Sequence, residues 1–380
     1  MFMRASTIEA VRSILGESSG RIDRLMKYAD CADSRHYLDA LRLLLASDGE
    51  LRVNLGDGAA PLRFFVALAA SLPGKRVEAD GSDQLRRRPI SPLVETLRKA
   101  GAQIKYLEKE GEIPLRICGR KLTGRGIDVD TSHTSQYLSA LMLSAPLWEE
   151  RPDFGSVSSA VSSSYVAMTR RMLEEKTPEI ERDWSAASFF YEIIALARVA
   201  GCNLPRKLSL VPLIPPGRSL QGDSACCEIF GELGVKTVFK DDATEISYEE
   251  GEPGRRIVEL DLASTPDLIP PVVVAMVMRG IPFRITGSSH LRYKESDRGE
   301  VLKRELRKLG YELTVREDSL AYAGDLPANC ERDIRIDPHG DHRIAMAFAP
   351  VELLGLGEIM DKEVVSKSFP GFWKELEEML

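Results

Sequence analysis

Three separated segments of the chain repeat one shape. "ETLRKAGAQIKYL" (Glu95–Leu107), "CEIFGELGVKTVF" (Cys227–Phe239) and "LKRELRKLGYELTV" (Leu302–Val315) each read as an amphipathic helix, a glycine just past its end (Gly101, Gly234, Gly310), and an alternating strand. Glycine enters the left-handed conformation that closes a helix at little steric cost, so these glycines mark where each helix stops. In the third segment Leu302, Leu306 and Leu309 fall on one helical stripe. A chain that repeats helix-then-strand units must layer helices on sheets, which predicts an α/β or α+β fold. The spacing between copies far exceeds that of short-period solenoids.

A length of 380 residues favours two domains over one core. The charged, proline-containing stretch "EEKTPEIERDW" (Glu174–Trp184) lies between two strong helical patterns and places the break there, giving domains over 1–180 and 181–380. A net charge of −7 argues against a general nucleic-acid or anionic-membrane binder; local cationic clusters in an acidic chain point to small anionic ligands. The six cysteines show neither a CxxC pair nor zinc-ligand spacing, which suits buried thiols in a reducing compartment. The opening "MFMRASTIEAVRSILGE" lacks the apolar region of a signal peptide, and the longest apolar run, Leu268 to Met278, is too short to span a membrane. A cytoplasmic monomer with neither nucleic-acid nor membrane partners is expected.

Many apolar helices are preceded directly by Ser, Thr or Asp, which cap the first free N–H groups. Such helix starts also attract anions. The densest example is "HLRYKESDRGEV" (His290–Val301), where Lys294, Glu295 and Arg298 would share one helical face. In "HGDHRIAMAFAP", Asp341 can cap a helix that leaves Arg343 in its first turn. There a cation opposes the dipole unless an anion faces it. Lys367 in "VVSKSFPGFW" precedes a helix opened by Pro370, and Asp267 in "LASTPDLIPP" ends a strand before an apolar helix. Taken singly, each of these serves its own helix. As a set, Arg298, Arg343 and Lys367 could clamp a phosphate and a carboxylate, with Glu295 and Asp267 as acid and base.

The pair His339 and His342 lacks a third ligand, so no metal is expected. Neither phosphate-binding glycine motif of nucleotide enzymes is present, so no nucleotide cofactor is expected. In the first half, Arg88 stands before a helix opened by Pro89; Thr134, Ser135 and Gln136 start another, and Ser162 and Tyr165 a third.

Taken in order, "RRRPISPLVETLRKAGAQI", "TSQYLSALML", "SSSYVAM", "DWSAAS", "QGDS", "TPD", "KESDR", "GDHRIAMAFAP" and "VVSKSFPGFW" resemble the enolpyruvyl transferase family, in its 5-enolpyruvylshikimate-3-phosphate synthase branch. The resemblance covers nearly all the chain after about Tyr28. It implies a two-domain inside-out α/β barrel of βαβαββ repeats with the active site in the interdomain cleft. It also implies transfer of the enolpyruvyl group of phosphoenolpyruvate to the 5-hydroxyl of shikimate 3-phosphate, with no metal or organic cofactor. Carried over by position, Arg88, Gln136, Arg298, Arg343 and Lys367 would hold phosphoenolpyruvate. Thr134, Ser135, Ser162, Tyr165, Asp267 and Lys294 would hold shikimate 3-phosphate. Asp267 would be the base on the hydroxyl, and Glu295 with Lys367 would handle protons at the methylene carbon and the bridging oxygen.

The chain departs from the family near its start. Ala5 and Ala10 occupy the lysine and arginine positions of the family motif S-K-S-x-S-N-R, and "DGAAPLR" replaces N-A-G-T-x-x-R, with Ala59 where a glycine approaches phosphoenolpyruvate. Two further readings stay open at this point: an impaired paralogue that binds a related anion or a partner, and an enolpyruvyl transferase acting on a nucleotide sugar.

Overall fold

The computed structural model describes residues 11, 21–27, 29–127, 135–154, 163–174, 181–197, 204–249, 257–325, 327 and 333–379. Ala5, Ala10, Thr134 and Ser162 lie outside the described residues. The chain divides into two compact units, residues 1–180 and 181–380.

In the first unit, helix α1 (Ala32–Ala46) turns Tyr37, Leu38, Leu41 and Leu44 inward and leads into a sheet. Strand β1 (Glu50–Asn54), α2 (Ala59–Ala70), β2 (Arg76–Asp80), α3 (Ser91–Lys99), β3 (Gln103–Tyr106) and β4 (Leu115–Cys118) form one βαβαββ module. β1 and β2 are parallel, with Val53 opposite Ala79, and β4 pairs antiparallel with both β2 and β3, giving the order β1-β2-β4-β3. Helix α4 (Gln136–Ser144) packs on α2, and α5 (Ser163–Glu174) packs on α4 through Leu138, Met142 and Val166.

The second unit opens with α6 (Trp184–Leu196), then β5 (Lys207–Leu210), α7 (Cys226–Glu232), β6 (Val235–Phe239) and β7 (Thr244–Tyr248), whose strands form an antiparallel sheet ordered β5-β7-β6. Strand β8 (Val258–Asp261), α8 (Ile269–Met278), β9 (Phe283–Thr286), α9 (Arg298–Lys308), β10 (Thr314–Val315) and β11 (Ser319–Tyr322) then repeat the module of the first unit. β8 and β9 are parallel and β11 is antiparallel to both β9 and β10, the same order as β1-β2-β4-β3. β12 (Arg335–Ile336), α10 (His342–Ala347) and β13 (Glu358–Ile359) make a parallel βαβ unit, and α11 (Phe372–Met379) sets Phe372 against Phe189 and Phe190 of α6.

The predicted helix–glycine–strand units form at all three places, and the glycines do the work assigned to them. Gly101, Gly234 and Gly310 have φ of 103°, 85° and 86°. Past α3 and α9 the chain makes the same wrapped cap, with Ala102 N–H donating to Leu97 O and Tyr311 N–H to Leu306 O. Three local expectations shift. The helix after the arginine run starts at Ser91 with Pro92 in its first turn, not at Pro89; α11 starts at Phe372, not at Pro370; and Lys294 and Glu295 precede α9 rather than riding on it. In the last case Asp297 accepts from Glu300 N–H at 3.3 Å and sets the helix start at Arg298.

Helix α6 carries an anomaly. Glu192 is fully buried, and neither carboxylate oxygen has a hydrogen-bond partner among the described residues. Burial pushes its carboxyl well above the usual range and so favours the protonated form in the folded chain. Below a pH of about 4.3, the ordinary glutamate value, both folded and unfolded states hold the proton. Above it only the unfolded chain ionises, so this residue lowers stability progressively as pH rises. Glu192→Met is expected to stabilise the protein by roughly 1–3 kcal/mol, with a larger gain at pH 8 than at pH 5, measured by chemical denaturation.

Candidate active site

A cation as the first residue of a helix opposes the dipole, and Arg298 holds that place in α9 with a side chain only 2% exposed. Three carboxylates enclose it. Its Nε donates to Asp341 Oδ2 at 2.8 Å, Nη1 to Asp267 Oδ1 at 2.9 Å, and Nη2 to Glu295 Oε2 at 2.8 Å and Asp341 Oδ1 at 3.2 Å. Burial would lower the guanidinium pKa, but Asp341, Glu295 and Asp267 outweigh it and raise the value.

Each carboxylate arrives by its own local device. Asp267 lies in the single 3₁₀ turn Pro266–Leu268 that opens into α8. Glu295 follows another 3₁₀ turn, Ser289–Tyr293, just before α9. Asp341 caps α10, accepting from Arg343 N–H at 3.0 Å, and also accepts from Ser296 Oγ at 3.2 Å. Burial presses the Asp341 pKa upward, but Arg298 prevails and holds it below the ordinary value.

Around this frame stand three more cations. Arg343 Nη2 is 3.1 Å from Asp267 Oδ2, Lys294 Nζ is 3.6 Å from Asp267 Oδ1, and Lys367 Nζ donates to Glu295 Oε1 at 2.8 Å. The cluster thus sets four cations against three carboxylates. Burial, helped by Arg298 and Arg343 against the pull of Asp267 and Glu295, lowers the Lys294 pKa. Burial and Lys294 depress His290 to about 3, and burial brings His342 to about 3 against the pull of Glu295, so both imidazoles stay neutral.

Exposure separates two tiers. Arg298 and Asp341 are 2% and 0% exposed at the side chain, whereas Asp267, Glu295, Lys294, Arg343 and Lys367 keep between 10% and 20%. The inner pair is a frame; the outer five can meet a ligand. This set offers a carboxylate held among three cations, a second carboxylate touching a lysine, and surplus positive charge. It can bind a multiply charged anion and move protons beside it.

In the first unit the predicted residues sit at helix starts. Ser135 is buried just before α4, Gln136 is the first residue of α4, and Tyr165 lies half-buried in the first turn of α5. Arg88 is half-buried ahead of α3, while neighbouring Arg86 is taken up by Asp80 and Glu108 at 2.5 and 3.0 Å. The residue the sequence reading missed is Arg63, a buried arginine inside the apolar helix α2. Its guanidinium lies 4.9 Å from the centroid of the Tyr137 ring. Nη1 donates to Gln136 Oε1 at 2.5 Å and Nη2 to Pro89 O at 2.8 Å, and Tyr137 Oη donates to the same Pro89 carbonyl at 2.7 Å. The Arg63 bond fixes Gln136 Oε1 as an acceptor and so sets the orientation of its amide at the start of α4. Two signals were available: a lone charge in "AAPLRFFVALAA", and its place as the closing arginine of "DGAAPLR".

A family model of EPSP synthase (3-phosphoshikimate 1-carboxyvinyltransferase) matches residues 32–193 and 210–376. The chain belongs to the EPSP synthase family. It is 33% identical over 378 residues to the 3-phosphoshikimate 1-carboxyvinyltransferase of Bacteroides fragilis strain YCH46, covering 93% of this chain and 88% of the relative. It is 35% identical over 349 residues to the enzyme of that name from Syntrophobacter fumaroxidans, covering 86% and 79%. The EPSP synthase structure from Acinetobacter baumannii superposes with a TM-score of 0.57 at 21% identity, covering 86% of this chain and 78% of that one. The fold is that of the EPSP synthases, with βαβαββ modules in both units, as the resemblance implied.

Two outcomes test this geometry. Arg298→Met leaves three carboxylates without their shared cation and is expected to cost about 3–5 kcal/mol of stability, read as a lower denaturation midpoint. Arg63→Ala removes the donor to Gln136 Oε1 and one of the two donors to the Pro89 carbonyl, and is expected to cost about 1–3 kcal/mol of stability, read as a lower denaturation midpoint.

Proposed function

We propose that the chain transfers the enolpyruvyl group of phosphoenolpyruvate to the 5-hydroxyl of shikimate 3-phosphate and releases phosphate. The observation that carries this is the charge lattice of the second unit. Asp267 is gathered among Arg298, Arg343 and Lys294, and Glu295 is held between Arg298 and Lys367. Two anionic substrates call for the surplus cations, and the chemistry calls for two proton-handling groups.

In this account Asp267 removes the proton from the 5-hydroxyl as that oxygen bonds to C2 of phosphoenolpyruvate. Glu295 delivers a proton to C3, turning the methylene into a methyl group. In the second half Glu295 takes a proton back from C3, the C2–O bond to phosphate breaks, and Lys367 supplies the proton of the departing bridging oxygen. Arg343 and Lys294 balance the developing charge beside Asp267, already aimed by the folded chain, so little reorganisation is required. Arg298 holds both proton-handling carboxylates by its two Nη atoms. From the first unit, Arg88 and Gln136 are assigned to phosphoenolpyruvate, and Thr134, Ser135, Ser162 and Tyr165 to shikimate 3-phosphate. Ala59, the first residue of α2 and 4% exposed, puts a methyl at the family's close-approach glycine and favours a reduced rate.

Asp267→Asn and Glu295→Gln keep the size of the side chains and remove the proton transfer. Each is expected to lower kcat by about 10²- to 10⁴-fold, the range for a positioned acid or base, with calorimetric binding of both substrates kept within about tenfold. Turnover surviving both substitutions would remove them from the mechanism.

A further inference from the structure

Helix α9 carries a second buried charge that the proposed chemistry does not use. Glu305 is fully buried and lies seven residues past Arg298, two helical turns or about 10 Å along one face. Its Oε2 accepts from Lys308 Nζ at 2.5 Å and from Asp337 N–H at 3.0 Å, and Arg304 Nε stands 3.6 Å from Oε1. Oε1 also faces His339 Nε2 at 3.5 Å, and neither of these buried atoms has a hydrogen-bond partner among the described residues. A surface Glu–Lys pair would serve the helix without any burial cost, so the burial of this carboxylate calls for another use.

That use lies in the segment it grips. His339 has φ of 52° and Gly340 of 71°, two consecutive left-handed residues, of which the first is strained because it carries a side chain. His339 N–H donates to Asp337 Oδ1 at 2.7 Å, His339 Nδ1 is 3.5 Å from Asp337 Oδ2, and Asp341 N–H donates to Pro338 O at 2.9 Å. The turn then delivers Asp341 to Arg298 and Arg343 to Asp267. One helix therefore holds this loop at both ends, by Glu305 at Asp337 and His339 and by Arg298 at Asp341.

We propose that Glu305 and His339 are positioning residues: they latch the left-handed turn onto α9 and set the register in which Asp341 and Arg343 enter the site. The link to substrate rests on the function proposed above; the latch itself does not. The test uses the full chain with Glu305→Leu, Glu305→Gln and His339→Asn, since asparagine tolerates the left-handed conformation. Amide exchange at residues 339–343 should quicken at least about tenfold in Glu305→Leu and His339→Asn. Glu305→Gln, which keeps an acceptor for Asp337 N–H, should recover part of the protection. The KM for phosphoenolpyruvate should rise about tenfold while kcat changes less than about threefold, with the KM for shikimate 3-phosphate nearly constant. Unchanged exchange at 339–343 in folded Glu305→Leu or His339→Asn overturns the latch. Quickened exchange with an unmoved phosphoenolpyruvate KM overturns the positioning role. If Glu305→Leu fails to fold, His339→Asn decides. If even the unaltered chain turns over no substrate, the functional reading fails alone and exchange still decides the latch.

Discussion

The buried guanidinium of Arg298 is the interaction on which the site of the second unit depends. A cation without water must be met by anions, and its fork geometry lets one group meet three. Those carboxylates come from the turn before α8, the stretch before α9 and the cap of α10. Binding them to one centre fixes three helix starts against each other. The same bonds hold Asp267 and Glu295 in place and draw Arg343, Lys294 and Lys367 to the side where some exposure remains. Stability and reactivity are therefore coupled here: the inner pair of Arg298 and Asp341 is what keeps the outer five usable.

The first unit applies the same logic with different partners. Arg63 is buried like Arg298, but it is satisfied by neutral acceptors and a ring: Gln136, the Pro89 carbonyl and Tyr137. It joins α2 to the start of α4 and to the backbone beside Arg88. An apolar helix can carry such a charge because both Nη atoms find acceptors and the guanidinium lies over a ring.

What the sequence made legible follows from how local each signal is. The glycines at 101, 234 and 310 report their own backbone, so the repeated unit was readable before any contact was known. Asp267, Glu295, Arg298, Arg343 and Lys367 were readable as a set because each lies near an expected helix start, and they do converge, although Lys367 ends the 3₁₀ helix Lys362–Lys367 instead of leading directly into α11. The start of α9 was misplaced, since Asp297, rather than an earlier residue, wins the capping position. Partner choice was not legible: nothing near Arg63 in the chain announces Gln136, 73 residues away. Nor does anything in the sequence reveal that Glu192 meets no hydrogen-bond partner among the described residues while Glu305, equally buried, binds Lys308 and the Asp337 backbone. Those are outcomes of tertiary packing, which periodicity does not encode.

Phosphate release from shikimate 3-phosphate plus phosphoenolpyruvate, by purified full-length protein beside Lys367→Ala, tests the central claim most directly. The account predicts release by the unaltered chain, falling at least about a hundredfold on substitution, with cooperative melting kept. A cooperatively melting chain that releases no phosphate, or release unaffected by loss of the Lys367 ammonium, would contradict it.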